Sequence, residues 1–147
     1  MICIPIVGAS MPKALEQIIS AEKIADILEL RLDLIDSPDL KVLLNVVSKP
    51  VIVTNRTKLD GGQFRGTDDE RLQALHDALA AGADYVDIEV STPRELLQPF
   101  LEGHETSKII LSYHDFSHTP EDLNPLYETM DALPGGIIKI VTYARDL

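Results

Sequence analysis

Lys139 stands inside the run Ile137-Ile138-Lys139-Ile140-Val141, with two β-branched residues on each side. Desolvation in such a setting favours the neutral amine. A neutral amine attacks a ketone or aldehyde, and the product is a Schiff base. The same pattern also describes a lysine whose stem is buried and whose head reaches water. One strand-like run earlier, Ser112-Tyr113-His114-Asp115-Phe116 carries an imidazole. Histidine accepts and returns a proton near neutral pH, so His114 is the natural proton carrier beside such a lysine. Next to Tyr113 and Phe116 it could equally be a packed, hydrogen-bonded residue. His76, His104 and His118 fall in helical or loop segments and receive no role. No His, Cys and Asp grouping has metal-ligand spacing, so no metal is expected.

Polar side chains recur at the ends of other strand-like runs. Residues 28 to 34 read Leu-Glu-Leu-Arg-Leu-Asp-Leu. Strand side chains alternate between faces, so the leucines share one face and Glu29, Arg31 and Asp33 the other. A solvated edge strand would fit that pattern, but helical stretches flank this run on both sides. Parallel strands under helices usually read as continuous apolar runs. A barrel reconciles the two, with leucines against outer helices and charges pointing inward at the strand's C-terminal end. Thr54 and Arg56, Asp87 and Glu89, and Ser112 and His114 repeat the arrangement on later strands. In barrels of parallel strands the site lies at that rim.

Positioning these groups requires alternating strands and helices. Strands are expected near 2–7, 27–33, 51–56, 84–90, 108–114 and 137–142, and helices near 11–24, 38–48, 68–81, 93–102 and 120–132. Ser37 before Pro38 reads as an N-cap. Thr67-Asp68-Asp69-Glu70 and Thr92-Pro93-Arg94-Glu95 match the capping box, with Thr119-Pro120-Glu121-Asp122 a weaker copy. Gly82, Gly103 and Gly135 follow helices as C-terminal caps do. Six βα-type units predict a parallel sheet and one domain over 1–147. No dinucleotide fingerprint or P-loop is present. The glycine-rich stretch 59–66 reads either as a mobile loop over a site or as a long turn.

The chain has 147 residues and a net charge of −11. That balance disfavours nucleic acid as a partner, since phosphate binding needs a basic face. An anionic metabolite would need a few placed cations, which directs attention to Arg31, Arg56, Lys58 and Lys139. No apolar run is long enough for a membrane span. Met1 runs directly into a strand with no targeting segment, so the cytoplasm is expected. The single cysteine, Cys3, suits a reducing compartment and reads as a buried structural residue.

Five motifs occur in a telling order. They are Glu29-Leu30-Arg31-Leu32-Asp33, Thr54-Asn55-Arg56 followed by Gly61-Gly62, Tyr85-Val86-Asp87-Ile88-Glu89, Ser112-Tyr113-His114-Asp115-Phe116 and Lys139-Ile140. Together they resemble the type I 3-dehydroquinate dehydratases of the shikimate pathway, from Met1 to about Tyr143. The resemblance implies a (β/α)8 TIM barrel, here incomplete, that dehydrates 3-dehydroquinate to 3-dehydroshikimate without metal or cofactor. It implies that Lys139 forms the imine and that His114 removes the neighbouring proton and assists departure of water. It implies that Glu29, Arg31 and Arg56 bind the ring hydroxyls. The family's glutamate beside the histidine corresponds to Asp60, one methylene shorter, so its contact with His114 is expected to be altered.

Six strands are counted where the family has eight. The family's substrate-carboxylate arginine has no motif counterpart here, and Arg145 does not match it. The expectation is a truncated dehydratase with unpaired sheet edges, aggregation-prone or homo-oligomeric alone, or half of a complemented enzyme. Two alternatives stand beside it. One is another Schiff-base barrel lyase resembling a class I aldolase. The other is a non-catalytic remnant that needs a partner chain.

Overall fold

The structure is a computed structural model and describes residues 1–144. Within them lies one six-stranded parallel sheet in sequence order: β1 (Cys3–Ile6), β2 (Ile27–Arg31), β3 (Val51–Thr54), β4 (Tyr85–Glu89), β5 (Ile109–His114) and β6 (Ile137–Val141). Helices α1 (Met11–Ala21), α2 (Leu40–Val46), α3 (Asp68–Ala80), α4 (Arg94–Glu102) and α5 (Asn124–Asp131) make the crossovers. The sheet curls into part of a TIM-type barrel and stays open between β1 and β6. Among the described residues no helix is long and apolar enough to cross a membrane.

The alternation in the sequence becomes two faces. Leu28, Leu30, Val53, Val86, Ile88, Ile109 and Leu111 point outward and are fully buried beneath the helices. Ile18 and Ala14 of α1, Leu43 of α2 and Leu75 and Ala78 of α3 meet them in one core. The opposite face carries the polar groups. Register places Arg31 beside Thr54, Thr54 beside Asp87, Glu89 beside Ser112, and Ser112 beside Lys139. Parallel pairing brings side chains of adjacent strands onto the same face, so these residues form a continuous inner surface.

Several boundaries differ from the sequence reading. Strand β2 ends at Arg31, and Leu32–Leu34 form a 3₁₀ turn rather than extended strand. That turn carries Asp33 back onto Arg31. Helix α2 is capped by Asp39, whose carboxylate accepts from the Val42 N–H, and Ser37 is not the cap. Thr67 and Glu70 form the expected capping box of α3. Thr92 does not cap α4, because its hydroxyl donates to the Glu89 carbonyl and accepts from Arg71. Helix α5 starts at Asn124, so the segment from Thr119 does not open it. Gly82, at φ 100, and Gly103 close their helices as expected, whereas α5 is closed by Ala132 and not by Gly135. Cys3 is exposed rather than buried, because it sits on edge strand β1, where the sheet has no further neighbour.

Candidate active site

Arg56 is the hub of the inner surface. It follows the end of β3 and is 3% exposed. Its Nη2 donates to Asp87 Oδ2 at 2.9 Å and lies 3.9 Å from Glu29 Oε1. Its Nη1 reaches Glu89 Oε1 at 3.2 Å, Ser112 Oγ at 2.9 Å and His114 Nδ1 at 3.2 Å. A guanidinium offers five donors in a fixed fork, and here they span three strands. Thr54 completes the layer by donating to Glu29 at 2.7 Å. Among the described residues no buried side-chain polar atom lacks a partner.

Lys139 lies on this same face. Its Nζ donates to Asp87 Oδ2 at 2.9 Å, and Ser112 donates to Oδ1 of the same carboxylate at 2.6 Å. The apolar surroundings expected from its neighbours are absent: its side chain is 34% exposed and ion-paired. Alternation explains the difference, since Ile138 and Ile140 pack against the core on the other face. Burial alone would raise the Asp87 carboxyl. Arg56 and Lys139 outweigh burial, and the carboxyl is held below its ordinary value.

His114 is half-buried at the end of β5. Burial first, and then the positive charge of Arg56, lower it to about 4. The imidazole is therefore neutral at pH 7. With Arg56 donating to Nδ1, the ring proton falls on Nε2. Phe116 stacks against the ring, with centroids 5.9 Å apart. Glu89 behaves oppositely: burial lifts its carboxyl to about 7, against the pull of Arg71 and Arg56.

Two expected site residues are held elsewhere. Asp60 is buried, but its Oδ2 accepts from Thr57 at 2.9 Å and Ser91 at 2.7 Å. No hydrogen bond joins it to His114 among the described residues; the histidine takes Arg56 instead. Arg31 is locked in a two-point pair with Asp33, at 3.0 and 2.9 Å. The Gln63 N–H also donates to Asp33, which ties the glycine-rich stretch to the rim. That stretch is a folded turn. Gly61 has φ 80, a conformation that favours glycine, and a Cβ there would strike the Phe116 ring. Lys58 is exposed, and Arg145 lies outside the described residues.

Asp87, Glu89, Ser112 and Thr54 stand at strand ends in the sequence, and only the fold shows how they join Glu29 and Arg56 in one polar layer. Their signal was the polar alternation itself. Nothing local marks Arg71, because a helical arginine after an acidic capping box reads as a solvated surface residue.

The chain matches the type I 3-dehydroquinase family over residues 2–147. It belongs to that family. A 3-dehydroquinate dehydratase of Methanococcus maripaludis is 35% identical over 149 residues, covering 99% of this chain and 68% of that protein. The bifunctional 3-dehydroquinate dehydratase/shikimate dehydrogenase of Arabidopsis thaliana is 33% identical, covering all of this chain and 26% of its own length. A type I 3-dehydroquinate dehydratase structure from Clostridium difficile superposes with a TM-score of 0.85 at 21% identity, over 99% of this chain and 64% of that one. At that identity the superposition speaks for the fold. The chain thus spans about two thirds of the single-function dehydroquinases it matches.

Proposed function

We propose that this dehydroquinase chain carries the imine-forming and proton-transferring half of a site that dehydrates 3-dehydroquinate to 3-dehydroshikimate. The observation that carries the reading is the placement of Lys139 and His114 on one face of adjacent strands, joined through Asp87 and Arg56. Opposite faces would have excluded it.

The chemistry proceeds from that placement. Lys139 first gives one proton to solvent; its neutral amine adds to the substrate ketone, and the resulting hydroxyl takes a proton back and leaves as water, giving a protonated imine. Asp87, next to Nζ, offsets the positive charge that the imine keeps. The cationic imine draws electrons from the neighbouring carbon and acidifies its proton. His114, neutral at pH 7, takes that proton. The electron pair then expels the β-hydroxyl, to which His114 returns the proton, so that water departs. Hydrolysis of the imine frees Lys139. For His114 to accept at Nδ1, Arg56 must turn toward Asp87 and Glu89, its other partners. Glu29, Arg31 and Arg56 bind the ring hydroxyls, while Asp60 supports the loop through Thr57 and Ser91. The reaction calls on no metal or cofactor in this reading.

3-Dehydroquinate also bears a carboxylate. Arg31, Arg56 and Lys139 already hold carboxylates. We therefore propose that a further cation meets that carboxylate, from beyond the described residues, from a complementing chain or from a second copy set against β1 and β6. Free Cys3 fits work in a reducing cytoplasm.

Borohydride reduction in the presence of 3-dehydroquinate, followed by peptide mass spectrometry, tests the central step. A substrate adduct on Lys139, lost in Lys139→Ala, is the expected result. Absence of adduct in folded protein at high substrate would leave the non-catalytic reading ahead. Adduct without turnover would place the deficit in substrate binding.

A further inference from the structure

Arg71 is the largest fully buried side chain among the described residues, yet it belongs to α3, on the outer layer. Its guanidinium passes under the rim to the inner face. Nη1 donates to Glu89 Oε2, and Nη2 donates to Thr92 Oγ1 at 2.8 Å and to Asp68 Oδ1 at 2.9 Å. Nε also donates to Asp68, at 3.0 Å. Glu89 is therefore gripped by two cations. Oε2 goes to Arg71 and Oε1 to Arg56, whose same Nη1 touches His114.

A buried arginine is costly unless every donor works, and removing its partner leaves an uncompensated charge. A helix residue buried at that cost, one carboxylate away from the hub, points to a role in the site rather than in packing. We infer that Arg71 is a positioning residue: through Glu89 it holds the Arg56 guanidinium against His114, and so governs when the imidazole's Nδ1 is free. The inference rests on the reading of His114 as the proton carrier.

The charged groups involved come from every neighbouring element. His114 is faced by Arg56 after β3, Asp60 in the following loop, Asp87 of β4 and Lys139 of β6. Glu89 is faced by Arg71 of α3, Arg56 and Asp87. Without Arg71, burial of Glu89 meets less opposition, and its carboxyl, at about 7 with Arg71 in place, moves higher and stays neutral above pH 7. A neutral Glu89 loosens Nη1. Arg56 then settles on Asp87 and Glu29 through Nη2 and leaves the histidine.

The test is the nitrogen-15 shift of His114 Nδ1 at about pH 8.5, above the value at which Glu89 loses its proton, in the full chain without substrate, for wild type, Arg71→Met and Arg71→Lys. In wild type the proton is on Nε2 and Nδ1 accepts from Arg56, so its resonance should lie upfield of a free acceptor nitrogen. In Arg71→Met it should move downfield, toward the value of an imidazole nitrogen with no donor. Arg71→Lys, which keeps the charge but not the fork, should move less. An unchanged Nδ1 shift in folded Arg71→Met overturns the proposal. If Arg71→Met does not fold, Glu89→Gln removes the carboxylate charge at constant shape and should produce the same downfield move; an unchanged shift there overturns it as well. Because no substrate is present, the result is independent of whether Lys139 forms an adduct.

Discussion

Central strands β3 to β5 and edge strand β1 belong to one sheet but differ in how their needs are met. At the centre, charge is dense and internalised: Arg56, Asp87, Glu89 and Ser112 are buried and pair with one another, and Arg71 reaches in from α3 to complete Glu89. At the edge, large apolar side chains stay exposed among polar ones. Ile2 and Ile24 are 54% and 68% exposed beside a groove of about 600 Å³ lined by Ile4, Ile6, Gln17, Ala21 and Ile24. Strand β6 at the other edge is only partly covered along its length. The polar half of the site is thus built by neighbouring strands and one helix arginine. The apolar rim is what an edge exposes when no further strand lies beside it.

That contrast can be tested by substitution. Arg56→Met should be the most damaging change. It leaves Asp87 and Glu89 buried without their shared cation, and loss of one partner of a buried pair costs about 3–5 kcal/mol; urea denaturation measures it, with Arg56→Lys expected to lose less. Leu111→Ala, fully buried on the outer face of β5, should cost about 2–5 kcal/mol through lost burial and a cavity, again by denaturant midpoint. A central strand indifferent to either change would end the distinction drawn above.

pH probes the centre more gently. The folded-state value of His114, about 4, lies below its unfolded value, so its contribution is present above about 6.5 and is lost as pH falls toward 4. Glu89, raised to about 7, contributes fully below its unfolded value and loses that contribution as pH rises through 7. The two slopes oppose each other between pH 5 and 6.5, roughly. Glu89→Gln removes one of them, so its stability should fall more steeply than wild type on acidification from neutrality, read from thermal midpoints. The smallest effect belongs to the edge. Ile24→Ser should stay within about 0.5 kcal/mol of wild type in stability, while size-exclusion chromatography with light scattering shows less self-association. A loss as large as that of Leu111→Ala would mean the edge is already structural in the lone chain.

Much of this was legible in the residues. Alternation in Leu28 to Arg31 foretold both faces of β2, and the Thr67 capping box fixed the start of α3. Lys139 and His114 were expected together, and the register between β5 and β6 puts them on one face. Long-range pairing was not legible. Arg71 finds Glu89 eighteen positions away, and nothing local distinguishes it from a solvated helix arginine. Asp60 resembled a partner for His114 by family position, but two nearby hydroxyls claim it and Arg56 occupies the imidazole. The setting of Lys139 differs from the apolar one its neighbours suggest, because Ile138 and Ile140 describe the opposite face of its strand.

Asp87 Oδ2 accepts from both Lys139 Nζ and Arg56 Nη2, each at 2.9 Å. A single oxygen therefore links amine to guanidinium, and the guanidinium touches the imidazole. Whatever displaces the amine is therefore felt at the imidazole three hydrogen bonds away, and the Asp87 carboxylate sets the position of both.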